Sequence, residues 1–159
     1  MAAGFLTPQS QTSVTLSEGA SGSQDVLVAT DGDSFVVVWT APSSEDDSAP
    51  LTEVRAIRVA EDGSATPPGG FLVDGDAAAK SLGAIAYTDG VYLVAWIEEG
   101  IVEAARLGTS GEDADVFTLD PGPASSVALA TDGDRFLAVF DRAVDSSSSD
   151  VIGTFVSRE

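Results

Sequence analysis

Cysteine and histidine are both absent from the 159 residues. Disulfides, thiol chemistry, imidazole general bases and Cys/His zinc sites are thereby excluded, as is a Ser-His-Asp triad built within one chain. Positive charge is nearly as scarce: 7 Lys and Arg stand against 26 Asp and Glu, a formal charge of −19. A field of that sign repels nucleic acid and anionic membranes, whose binding needs clustered cations. The acidity reads first as a solubility device. No apolar run is long; the stretch Phe35–Trp39 is far too short to span a bilayer. The opening MAAGFLTPQSQTS has neither the cationic nor the apolar region expected of a signal peptide. A lack of cysteine fits either side of a membrane, so no compartment follows.

What is present is a sentence written three times. VATDGDSFVVVW begins at Val28, AYTDGVYLVAW at Ala86 and LATDGDRFLAVF at Leu129. Each has a Thr before an Asp-Gly pair and ends on a large aromatic: Trp39, Trp96 or Phe140. Two β-rich runs around Asp-Gly signal a hairpin, because Asp-Gly adopts the positive φ angles of tight primed turns. The repeat continues in VRAIRV (54–59), VEAARL (102–107) and VIGTFV (151–156), which align without gaps. The third position is always small (Ala56, Ala104, Gly153), which implies close approach of neighbouring backbones. A fourth run, FLV (71–73) or VFTL (116–119), closes the first two copies.

One repeat therefore reads strand A, Asp-Gly turn, strand B, loop, strand C, turn, strand D. Four short antiparallel strands at a period of roughly 40–60 residues are the mark of a β-propeller blade. No segment competes as a helix. The alanines of 74–86 favour one, but Gly75 and Gly83 bracket them and the apolar spacing is poor.

The expected fold is all-β: a β-propeller with three four-stranded blades per chain. Residues 24–80 form blade one, 81–125 blade two, and 126–159 strands A to C of blade three. Strand D of the third blade is sought at the other end, where TSVTLSEGAS (12–21) resembles DVFTLDPGPAS (115–125). Known rings mostly have about four to eight blades. Three would leave an apolar face at each end and a bare strand edge. Two chains about a twofold axis would close a ring of about six. Residues 12–17 are then expected to cross to the partner and complete its third blade by strand addition. The nine-residue connector from Leu16 to Val26 reaches about 30 Å, long enough to fold back within one chain, which is the less natural alternative.

The string Asp-Gly, a variable residue or two, Phe/Tyr, an apolar triplet and Trp resembles the DG-x-x-Y-L-V-V-W repeat of large bacterial surface and secreted proteins, notably of myxobacteria. The resemblance covers residues 12–157, with Phe140 in place of Trp in the third copy and a turn one residue shorter in the second. It implies propeller blades and a secreted or cell-surface setting. It implies no activity.

The candidate site residues are few. Trp39, Trp96 and Phe140 end strand B, near the face carrying the B–C and D–A loops. They either stack on sugar rings or pack between blades, and packing explains why one position is aromatic three times. The B–C loops gather SSEDDS (43–48), Glu98 with Glu99, and DRAVDSSSSD (141–150), where Arg142 stands beside Asp141. Paired carboxylates can hydrolyse glycosides, but their pKa values are tuned in rigid, partly buried settings, and these runs read as solvated loops. Arg142 forms a local ion pair or meets an acidic ligand. The Asp-rich turns at 31–33, 74–76 and 132–134 do not match the spacing of an EF-hand calcium loop.

The expected protein is a non-enzymatic binding or scaffold module, homodimeric through its exchanged strand, with no cofactor and no metal. Its ligand is a glycan or a protein, not nucleic acid, and no part inserts into a membrane. A lectin-like binder and a glycoside hydrolase-like enzyme using acidic loop residues are the alternatives.

Overall fold

A computed structural model describes residues 13–16, 25–43, 51–109 and 114–159. The described residues form strands and turns and contain no helix. Sheet one comprises β1 (Val26–Thr30), β2 (Ser34–Pro42), β3 (Thr52–Ala60) and β4 (Ala65–Ala78). Sheet two comprises β5 (Lys80–Thr88), β6 (Val91–Glu98), β7 (Ile101–Gly108) and β8 (Ala114–Asp120). Sheet three comprises β9 (Val127–Thr131), β10 (Phe136–Ala143) and β11 (Ser149–Val156). Within each sheet the strands lie in chain order and pair antiparallel. The alanine-rich stretch 74–86 is strand, divided between β4 and β5.

The second strand of the middle sheet, β6, is apolar on both faces because a sheet stacks on each side of it. Val36 and Val38 of sheet one pack against Tyr92, Val94 and Trp96 of sheet two, with Ala56 and Leu107 in the same seam. Leu93, Ala95 and Ala104 of sheet two pack against Phe136, Ala138 and Phe140 of sheet three. Burying one such large side chain stabilises the fold by about 1.5–3 kcal/mol. The first strands run beside one another, β1 against β5 and β5 against β9. Gly83 permits that approach: a Cβ there would stand 2.3 Å from Val127 Cγ1 and 2.8 Å from its carbonyl oxygen.

The three Asp-Gly turns are not alike. Only Asp89-Gly90 is the two-residue primed hairpin, with φ of 41° and 89° and Thr88 paired to Val91. In the first turn only Gly32 is left-handed. There the Asp31 carboxylate accepts from the amides of Asp33 (3.0 Å) and Ser34 (2.7 Å), while Thr30 Oγ1 accepts from Gly32 (3.0 Å). Asp132 and Thr131 repeat the pattern in the third turn. The residue missing from the second copy thus changes the turn type and leaves the strand pairing intact.

Strand β4 is longer than the run at 71–73 suggests, and contains Pro67, Pro68, Gly69 and Gly70. An edge strand tolerates proline, since one side has no ladder to complete. Its register against β3 shifts between Ala56 and Arg58 and again beyond Val54.

Residues 13–16 carry no strand pairing. Leu16 lies instead on Trp39, Ala41 and Ile57, the buried cluster on the face of sheet one turned away from sheet two. The closing strand expected at 12–17 is therefore not added to the third sheet of this chain, whose β11 lies at the edge of its sheet. Residues 12 and 17, and the acidic loop segment 44–48, lie outside the described residues.

Candidate functional site

The strand-B aromatics are buried. Trp96 is 0% exposed, Phe140 1% and Trp39 5%. Trp96 faces sheet one and Phe140 faces sheet two, so each packs against the sheet that precedes its own. The rings of Trp96 and Phe140 lie inside the seams between sheets, the packing expected of them.

Glu98 and Glu99 share a turn and have separate fates. Glu98 forms an ion pair with Lys80 Nζ at 3.4 Å and accepts from Trp96 Nε1 at 3.4 Å. The Lys80 side chain is fully buried, pairs also with Asp74 at 3.4 Å, and donates to the Thr52 carbonyl at 3.2 Å. A cation in that position joins sheet one to sheet two and compensates its own desolvation through its partners. Glu99 is exposed, with φ of 49°, and Gly100 follows at 87°. Glu98 and Glu99 are thus not a matched catalytic pair.

Arg142 meets Asp120, not the adjacent Asp141. Its Nε lies 3.1 Å from Asp120 Oδ1, and its terminal nitrogen pairs with Oδ2. Asp120 also accepts from Gly122 N at 2.8 Å. Asp141 closes the same connection from the other side. Its carboxylate accepts from the Ser125 and Ser126 amides (3.0 and 2.7 Å) and from both hydroxyls (2.8 and 2.9 Å). Donation from Ser125 and Ser126 holds this carboxyl far below the usual carboxylate range. Such bonding favours the charged form. The run beginning at Asp141 is exposed from residue 143 to 150, as a solvated loop would be, but Asp141 itself lies near the end of β10 and ties it to the segment leading into β9.

The opposite rim carries the Asp-Gly turns, each with an arginine: Arg58 on Asp31 at 3.2 Å, Arg135 on Asp132 at 3.3 Å, and Arg158 on Asp89. All seven cationic side chains of the protein are in ion pairs. Among the described residues, no group of three or more acidic side chains is arranged to hold a metal ion. The carboxylates of Asp31 and Asp132 are engaged by turn amides.

Sequence reasoning missed Lys80 and Asp120, and named Asp141 only as the neighbour of Arg142. Lys80 is the sole lysine of the chain, within an alanine-rich apolar stretch, and that isolation was the available signal. The partners of Asp120 and Asp141 lie on other strands, which no local pattern announces.

These features define the class of the molecule: an all-β protein of three stacked antiparallel sheets whose polar side chains lock the sheets together. Among known proteins, no family model matches the chain, and no curated protein or solved structure matches it significantly.

Proposed function

We propose that the three sheets are β-propeller blades, that two chains close one six-bladed ring, and that the ring is a non-enzymatic binding and scaffold module. The observation that carries this reading is rotational. Trp96 packs on the sheet before its own, Phe140 does the same one sheet later, and Trp39 points in the corresponding direction with no further sheet of this chain to meet. A stack that repeats one seam twice has one complementary face at each end. A second copy fills both, and a twofold axis makes the two new seams identical. Residues 12–17 would complete the neighbour's third blade at the open edge of β11 by strand addition.

Binding then falls to the loop rim, held rigid by the Lys80, Asp120 and Asp141 clamps, with a protein or a glycan as ligand. The burial of Trp96 and Phe140 does not favour the glycan reading, and the ion pair on Glu98 does not favour hydrolysis. The secreted or surface setting rests on the resemblance alone.

Light scattering tests the ring. The expected mass is twice the 16.1 kDa of the chain. A monodisperse monomer would overturn the assembly.

A further inference from the structure

Arg58 of β3, Arg106 of β7 and Phe155 of β11 hold the same place in the three repeats. The two arginines latch the internal seams. Arg58 donates across the first seam to the Thr109 carbonyl and pairs with Asp31. Arg106 Nε donates across the second seam to the Ser157 carbonyl at 3.0 Å. The third position has no such group. Phe155 is 60% exposed, its ring stacked on its own sheet's Arg135 guanidinium at 3.9 Å. Beside it, a hollow of about 170 Å³ is lined by Ala130, Leu137 and Arg135.

The face at the other end of the stack is its counterpart. Phe35 is 46% exposed, whereas Tyr92 and Phe136, its equivalents inside the two seams, are 0%. Val26 is 64% exposed, and its equivalent Val127 is 7%. Trp39 Nε1 lies on this face, buried and without an acceptor among the described residues.

We propose that Phe155 of one copy packs on Phe35 and Val59 of a second copy, so that the seam between chains is closed by an apolar contact where the internal seams are latched by arginine. This rests on the ring reading above and names which surfaces meet. Each chain carries a charge of −19; a contact without charge gains nothing from low salt, and screening lets two acidic chains approach.

The chain has no cysteine of its own, which makes cross-linking clean. In the double variant Phe35→Cys, Phe155→Cys, oxidation or a short bismaleimide should give a covalent dimer, and either single variant should not. Phe155→Ser should keep its circular dichroism and raise the dimer dissociation constant about tenfold or more, as expected for a buried aromatic anchor. A wild-type dimer whose folded double variant fails to cross-link by either route overturns the Phe155 contact and leaves the ring standing. A wild-type monomer overturns both. So does a cross-link within one chain, because sheet two separates Phe35 from Phe155.

Discussion

Trp39 and Trp96 occupy one position in consecutive sheets and point the same way, but only Trp96 meets a sheet there. Trp96 Nε1 reaches Glu98 at 3.4 Å, and the residue two places after Trp39 is Ala41, which offers no side-chain acceptor. Leu16 covers part of the Trp39 face, and Gly70 of β4 covers its ring edge. A sheet-stacking position is thus occupied by short local segments in the single chain.

Gly70 should not tolerate a side chain. A Cβ would stand 2.5 Å from Trp39 Cη2 and 2.7 Å from the Ala56 carbonyl oxygen, and φ is 75°. Gly70→Ala should lower stability by about 2–4 kcal/mol, combining backbone strain with overpacking. Gly69, at 80° with open space around it, should cost only the strain, about 1–2 kcal/mol as alanine. Urea denaturation of both variants separates the two terms, and equal losses would refute the clash.

Lys80→Met should cost about 1–3 kcal/mol, because the partly buried carboxylates of Asp74 and Glu98 lose their shared cation. Glu98→Gln should cost less, because Lys80 keeps Asp74 at 3.4 Å. Denaturant midpoints give the ranking. A Glu98→Gln loss as large as that of Lys80→Met would contradict the shared ion pair.

Glu99 occupies a left-handed position at 49° that suits Asn or Gly. Glu99→Asn should raise stability by about 1 kcal/mol, read as a higher melting temperature at unchanged oligomer mass. A fall in stability would mean that the Glu99 side chain makes a contact worth more than the strain.

Burial, and then the negative charge of Asp31, push the Tyr92 hydroxyl from 10.0 up to about 12. A pKa raised on folding favours the folded state fully below pH 10; that contribution fades as pH climbs from 10 to about 12. Tyr92→Phe should remove this part of the alkaline loss. Near neutral pH its effect should be small, about 1 kcal/mol or less, since the hydroxyl lies beside Asp31 and Ser34 without a hydrogen bond of full geometry among the described residues. Melting curves at pH 8 to 12 decide it; an unchanged alkaline slope in the variant would refute the assignment.

Much of the architecture was legible beforehand, for a physical reason. The runs around Asp31-Gly32, Asp89-Gly90 and Asp132-Gly133 combine β-branched residues with turn chemistry, and hairpin signals are local. The aromatics at 39, 96 and 140 were readable as packing because equivalent sites in stacked units share one environment. The extent of β4 was less legible, since Pro67, Pro68 and two glycines normally mark a break and only its edge position makes them acceptable. The clamps were illegible: Lys80 meets Asp74 and Glu98, Arg142 meets Asp120, and Asp141 meets Ser125 and Ser126, each pairing made between strands or across a connection.

By itself the sequence determined an all-β chain of three like units with hairpin turns and a strongly acidic surface, because periodicity, turn residues and net charge are properties of neighbours and sums. Only the tertiary structure decided which face of each sheet is covered, which carboxylates are engaged by arginine, lysine or turn amides, and where Phe35 and Phe155 stand bare. Those outcomes depend on how one sheet lands on the next, a matter of distance through space that no spacing along the chain encodes.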